Sequence, residues 1–229
     1  MTGQLVVDQV ELVIRGKQIL YPISIEFHPG EVTAVSGPSG SGKTSLLSVA
    51  GGLLAPSHGV AEYDGRPTWQ GDGDPRPEVA FVLQVYGLVP ILSARENVAV
   101  ALRARGVPVA EVEARATDAL DRFHIGDLGD RQVEELSGGQ MQRVACARAF
   151  VVGAEVLLAD EPTSELDEGN REHVMAELRA EAARGAVVVV ATHDAAVVAA
   201  SHRHMIIDEG RIVDHVAKVG RHVAGSSWS

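Results

Sequence analysis

The chain has 229 residues, of which 45% are hydrophobic and 22% charged, and its formal net charge at pH 7 is −11. This composition fits one large α/β domain or two small ones and argues against a disordered chain, a collagen-like repeat or a disulfide scaffold. The acidic balance disfavours free-standing binding to nucleic acid or anionic lipid. With the single cysteine, Cys146, no internal disulfide forms, which is compatible with a reducing cytoplasm.

Neither a membrane-spanning segment nor an export signal is predicted. The longest apolar stretches, such as residues 186–192, are far shorter than the roughly 18 residues of a spanning helix. The first ten residues lack the basic segment and apolar core of a signal peptide. We therefore expect a chain that is soluble when alone.

In the first part of the chain, apolar residues alternate with polar ones, which predicts two strands joined by a tight turn, at 5–14 and 18–27. The clearest loop is the Gly- and Pro-rich segment 70–77. The other elements predicted before residue 88 are strands at 31–36, 59–64 and 79–83 and a helix at 43–54.

From about residue 88 to 152 the pattern changes to helices, and beyond it strands and helices alternate again. The predicted helices are 94–105, 110–123, 140–152, 168–184 and 195–200, and the predicted strands are 155–160, 186–192, 204–208 and 211–215. This order predicts an α/β fold interrupted by a mostly helical insertion.

A glycine-rich segment lies between a predicted strand and a predicted helix and fits the pattern G-x-x-x-x-G-K-[ST]. Its glycines let backbone N–H groups turn toward phosphate oxygens, and the helix N-terminus adds partial positive charge. In such a loop Lys43 neutralises the β- and γ-phosphates, and the Thr44 hydroxyl ligates Mg²⁺. The candidate phosphate-binding residues are Gly37, Pro38, Ser39, Gly40, Ser41, Gly42, Lys43, Thr44 and Ser45.

Two acidic residues at the end of a buried strand supply a second part of the predicted site. Asp160 is the candidate Mg²⁺ ligand, and Glu161 is placed to orient and activate water. Without a phosphate loop, such a pair is equally typical of acids that merely cap a strand.

The segment Leu136-Ser137-Gly138-Gly139-Gln140 opens another predicted helix. Ser137 suits the N-cap, and the glycines leave N–H donors exposed, which is typical of an anion site. The alternative is a capped helix with a flexible start. Two anion-binding helix starts with one phosphate loop indicate a nucleotide shared between them.

These motifs, in their order and spacing, resemble those of the ATP-binding subunit of ABC transporters. The resemblance covers about residues 5–215 and includes LSGGQ at 136–140, LLADEP at 157–162 and SELD at 164–167. It implies a P-loop NTPase core with an N-terminal antiparallel β subdomain (1–87 and 153–215), an inserted α-helical subdomain (88–152) and a flexible tail (216–229).

The resemblance also implies a head-to-tail homodimer that binds two ATP molecules with Mg²⁺. Each ATP would be held by Gly37–Thr44 of one subunit and by Ser137–Gln140 of the other. The roles implied for single residues are Glu161 as general base, His193 as a contact to the γ-phosphate, Gln84 as a link to Mg²⁺, and Asp167 as a coupling residue across the interface. The implied catalytic set is Glu161, His193, Lys43 and Gln84, and the implied metal ligands are Thr44, Gln84 and Asp160.

Three positions depart from the family pattern. Ile14 occupies the place of an aromatic residue that commonly stacks on adenine, and it offers no π-face, so we expect weaker nucleotide affinity or looser base selectivity. Thr44 keeps the hydroxyl of the more frequent serine. Glu165 replaces a small residue and adds a charge near the expected interface.

The segment 87–98 resembles the branch that releases lipoproteins and exports macrolides, which implies transmembrane permease partners at the inner face of the cell membrane. Residues 88–135 would carry the groove for that partner. Three functions stay open: a motor subunit of an exporter, an ATPase that regulates a membrane-bound cell-wall or division complex without transport, and a soluble ABC protein acting on nucleic acid or ribosomes. The single compact unit and acidic balance argue against the third.

Overall fold

The computed structural model describes residues 3–216, so the predicted tail lies, apart from Val216, outside the described residues. An antiparallel sheet with the strand order β2-β1-β4-β5 forms the first layer. Its strands are β1 (Leu5–Ile14), β2 (Lys17–Phe27), β4 (His58–Tyr63) and β5 (Arg66–Pro67).

A second sheet follows the order β10-β9-β3-β8-β7-β6. Its strands are β3 (Val32–Ser36), β6 (Val79–Val82), β7 (Val156–Asp160), β8 (Val187–Thr192), β9 (Arg203–Asp208) and β10 (Arg211–Val216). The five strands from β9 to β6 are mutually parallel, and β10 pairs with β9 in the antiparallel sense. Since parallel strands end at one edge, this sheet gathers the residues that follow β3, β7 and β8.

The helices of the described chain are α1 (Lys43–Ala50), α2 (Ala94–Ala104), α3 (Val109–Arg122), α4 (Gly138–Phe150), α5 (Glu168–Ala183) and α6 (Ala195–Ala200). Helices α2, α3 and α4 pack against one another, and short 3₁₀ turns at Gly126–Leu128 and Val133–Glu135 connect α3 to α4. Helix α2 starts at a capping box, in which Ser93 and Glu96 each bind the other's backbone N–H.

Alternate residues of the central strands face two different cores. Val188 and Val190 of β8 join the helical insertion and α5, whereas Val187 and Val189 join α1 and the antiparallel sheet. All four side chains are at most 1% exposed. Because both faces of β8 are buried, its sequence is a nearly continuous run of apolar residues.

Some predicted boundaries were wrong. Helix α1 ends at Ala50 rather than at residue 54, because Gly52 turns with φ +81° and the amides of Leu53 and Leu54 both donate to the Ser48 carbonyl. Helix α4 starts at Gly138, two residues earlier than predicted, because Ser137 and Gln140 form a capping box there. The two-residue strand β5 and both 3₁₀ turns are too short to show a sequence period.

Within residues 3–216, no helix is both long enough and apolar enough to span a bilayer.

Replacing Leu158 in the middle of β7 tests this packing. The side chain is fully buried, so we expect Leu158→Ala to lower the free energy of unfolding by about 2–5 kcal/mol, measured by urea denaturation. Leu54→Ala, at a side chain 38% exposed, serves as the control, with an expected change of about 0.5 kcal/mol. Equal losses in the two variants would contradict the described core.

Candidate active site

The glycine-rich loop follows β3 and wraps around the start of α1. Gly40 and Gly42 have φ +78° and +108°, which side chains rarely adopt. At Gly37 a Cβ atom would lie 2.0 Å from the Ile207 carbonyl oxygen, so only glycine fits against β9. The Lys43 Nζ donates to the carbonyls of Gly37 (2.8 Å) and Pro38 (2.9 Å), which holds the ammonium at the loop.

Two candidate Mg²⁺ ligands, Thr44 and Asp160, lie together where the start of α1 faces the end of β7. The Thr44 Oγ1 donates to Asp160 Oδ2 at 2.6 Å, and Asp160 is only 5% exposed. Burial raises the pKa of the Asp160 carboxyl, the Glu161 charge adds to the rise, and Thr44 and Lys43 oppose it. A buried carboxylate beside a hydroxyl, at the edge of a phosphate loop, fits the hard oxygen ligands that Mg²⁺ takes.

The next residue, Glu161, is held in an uncommon conformation. Its φ is +49°, and its backbone N–H donates to the Ala191 carbonyl of β8 at 2.9 Å. Its side chain accepts a hydrogen bond from Thr192 Oγ1 at 3.3 Å, and its Oε1 lies 2.7 Å from His193 Nδ1. The Glu161 side chain is 9% exposed and the His193 ring 70% exposed, so the pair connects the buried sheet edge with the cleft.

These residues line one cleft of about 590 Å³. Its lining residues are Ile19, Gly37, Pro38, Ser39, Gly40, Gly42, Lys43, Thr44, Ser45, Gln84, Asp160, Glu161, Ser164 and His193. Among the predicted phosphate-loop residues, only Ser41 is not part of the lining, since its side chain is 4% exposed and points into the protein. The structure therefore brings the whole predicted catalytic set together.

The predicted base contact, Ile14, does not line this cleft. It lies at the end of β1, 42% exposed, whereas Ile19 of β2 supplies an apolar side chain to the cleft wall. The alternating pattern of β2 includes Ile19, but only the pairing of the sheets shows that this strand passes beside the phosphate loop. Ser164 also lines the cleft, although its motif alone indicated a position near the interface.

The LSGGQ segment lies elsewhere, because none of Ser137–Gln140 lines the cleft of this chain. The Ser137 Oγ accepts from the Gln140 N–H at 3.3 Å, and Gln140 Oε1 accepts from the Ser137 N–H at 2.8 Å. Asp167 caps α5 by accepting from the Asn170 N–H at 2.8 Å, and this bond lowers the pKa of its carboxyl. The structure forms both helix starts predicted from the sequence, but only the first lines the cleft.

Comparison with known proteins agrees with this geometry. A family model described as "ABC transporter" matches residues 20–164, more than half of the chain. The chain belongs to the ABC transporter family. It is an ATPase of the ABC type that binds ATP, and the predicted family, fold class and enzyme activity are confirmed.

Among curated proteins, the chain is 40% identical over 205 residues to the pyoverdine export ATP-binding/permease protein PvdT of Pseudomonas entomophila, which covers 87% of this chain and 31% of PvdT. It is 41% identical over 201 residues to the macrolide export ATP-binding/permease protein MacB 1/2 of Paracoccus denitrificans, which covers 86% of this chain and 30% of that protein. The chain thus spans about a third of the length of these relatives.

Among solved structures, the fold matches the ATP-binding cassette MJ0796 in a dimeric post-hydrolysis state bound to ADP and Pi. The TM-score is 0.87 at 29% identity, over 95% of this chain and 99% of that one. A second dimeric MJ0796 structure, titled a bacterial ABC transporter cassette, matches with the same TM-score and identity.

Asp160 provides a test of the metal site that separates stability from activity. Because burial raises the pKa of its carboxyl, the folded chain loses stability as the pH rises from the ordinary carboxyl pKa through the raised one. At pH 7, without nucleotide or metal, we expect Asp160→Asn to raise the Tm and to flatten this pH dependence. The same variant should lose Mg²⁺-dependent ATP hydrolysis.

The control is Asp118→Asn, which removes an equal charge from an exposed position on α3. A Tm that is lower in Asp160→Asn than in the unchanged chain would contradict the described burial of the carboxylate.

Proposed function

We propose that this chain is the ATP-hydrolysing subunit of an export-type ABC transporter, working as a homodimer with two ATP molecules at the interface. One observation carries the proposal. The cleft is lined by Lys43, Asp160, Glu161 and His193, while the second predicted anion-binding segment, Ser137–Gln140, is not part of its lining. A nucleotide can contact both only if a second copy supplies the second segment.

Binding is assigned to the loop and to the start of α1. The amides of Gly37–Thr44 and the Lys43 ammonium would bind the phosphates, since a helix N-terminus and a nest of N–H groups attract anions. Thr44, Asp160 and Gln84 would hold Mg²⁺, which neutralises charge on the β- and γ-phosphates when bound. The adenine end would lie toward Ile19, and the expectation of weak or loose base recognition stands, since neither Ile14 nor Ile19 offers an aromatic face.

Hydrolysis is assigned to Glu161. Its carboxylate accepts a proton from the attacking water, and its hydrogen bonds to Thr192 and His193 fix the direction of the oxygens. The backbone hydrogen bond from Glu161 to Ala191 fixes this turn to β8, the strand that His193 follows. His193, at the mouth of the cleft, is placed to contact the γ-phosphate.

The proposed membrane partner would dock on a groove of about 430 Å³ between the parallel sheet and the helical insertion. Phe81 and Leu83 line one side, and Ala101 of α2 and Arg148 of α4 line the other. Val85, two residues after Leu83, is 81% exposed. Exposed apolar side chains beside a groove are typical of a protein–protein contact surface.

Export is favoured over the regulation of a cell-wall or division complex because PvdT and MacB are both named export proteins. Since those relatives carry ATP-binding and permease functions in one name, we infer a permease of the same kind as the partner here. The chain would then lie on the cytoplasmic face of the membrane and reach it through that partner, without binding nucleic acid.

Glu161→Gln tests the assigned base. We expect steady-state ATP hydrolysis to fall by about 10²- to 10⁴-fold, because an amide cannot accept the proton, while ATP binding persists. With ATP and Mg²⁺, this variant should accumulate as a dimer in sedimentation experiments. Glu172→Gln on the exposed face of α5 is the matched control and should keep its activity. Hydrolysis at the unchanged rate in Glu161→Gln would refute the assignment.

Val85→Asp tests the docking surface, because Val85 is 81% exposed and lies two residues after Leu83 of the groove lining. We expect it to reduce co-purification with the permease partner by about tenfold or more, because a charge would be buried against an apolar partner face. ATP hydrolysis by the isolated chain should not change. Val109→Asp is the matched control, since Val109 is also 81% exposed but begins α3, a helix that contributes no residue to the groove lining. Equal losses of partner in the two variants would contradict the proposed surface.

A further inference from the structure

Glu165 departs from the family pattern, and the structure shows where its carboxylate lies. A Cβ atom at Gly138 would be 3.1 Å from Glu165 Oε2, and one at Gly139 would be 2.7 Å from the Glu165 carbonyl oxygen. Both glycines belong to LSGGQ and form the first turn of α4. The side chain and backbone of Glu165 therefore cover the start of this helix within the same chain.

The contact brings the negative charge of Glu165 to the N-terminus of helix α4. The first turn of a helix presents unpaired N–H groups and partial positive charge, so a carboxylate there is attracted. A carboxylate beside this turn also repels a second anion that comes close. The side chains of Ser137 and Gln140 each accept a hydrogen bond from the other's backbone N–H. The contact with Glu165 is therefore made by the two glycines between them.

A third side chain joins the same point. The Tyr86 hydroxyl would be 3.5 Å from a Cβ atom at Gly138, and burial together with the Glu165 charge raises the pKa of Tyr86. The Arg148 guanidinium donates to the carbonyls of Tyr86 (2.6 Å) and Gly87 (2.5 Å) and also lines the docking groove. Arg148 thus links the groove to Tyr86, whose hydroxyl lies near Gly138 on the same side as Glu165 Oε2.

We propose that Glu165 is an autoinhibitory anion, which occupies the LSGGQ helix start of its own chain and restrains ATP-driven dimerisation until it is displaced. This rests on the proposed function, in which that helix start receives the γ-phosphate of the ATP bound to the other copy.

The main test measures dimerisation in the Glu161→Gln background, where hydrolysis does not deplete ATP. Adding Glu165→Gln keeps the shape and removes the charge. We expect the dimer dissociation constant at saturating MgATP to fall about tenfold, since each of the two equivalent contacts in a symmetric dimer contributes about threefold. Glu134→Gln, an exposed carboxylate three residues before Ser137, is the control and should change the constant little.

The inference is wrong if Glu165→Gln leaves the dimer dissociation constant unchanged or raises it. It is also wrong if Glu134→Gln lowers the constant equally, because the effect would then come from net charge alone. If neither Glu161→Gln nor the double variant dimerises with MgATP, the proposed dimer and the autoinhibition both fail.

Discussion

The parallel pairing of β7 with β8 is the constraint on which the site depends. It places Asp160 at the end of β7 against Ala191 of β8, so the next residue, Glu161, donates its backbone N–H to the same strand. Two adjacent carboxylates then lie at a buried sheet edge, where unpaired charge is costly. Thr44, Thr192 and His193 offset that cost by binding their oxygens, and they reach the edge because β3 and β8 end there too.

The same arrangement separates the two predicted nucleotide-binding segments. The phosphate loop and the acidic pair are built on the parallel sheet, whereas LSGGQ starts a helix of the insertion and is not part of the cleft lining. Within the chain, the carboxylate and the backbone carbonyl of Glu165 lie beside the two glycines of that helix start. In the proposed dimer, the second copy brings its LSGGQ segment to the cleft.

The sequence was informative where chemistry is local. A phosphate loop needs its glycines, its lysine and its hydroxyl in consecutive positions, so Gly37–Thr44 could be identified without a fold. Boundaries that depend on distant contacts were less predictable. The end of α1 is set partly by the approach of Gly52 to the Thr68 carbonyl, which lies on another segment. Ile19 was likewise not predicted to line the cleft, because the alternating pattern of a strand does not show which other segments pack beside it.

The sequence by itself determined the family, the residues of the phosphate loop, the acidic pair and the ATPase chemistry, because those functions require fixed residue types at fixed short spacings. Only the tertiary structure decided that His193 binds Glu161, that Ile19 rather than Ile14 lines the cleft, and that Glu165 covers Gly138 and Gly139. These contacts join residues from separate strands and loops. Their distances follow from sheet pairing and core packing, which no local pattern of residues specifies.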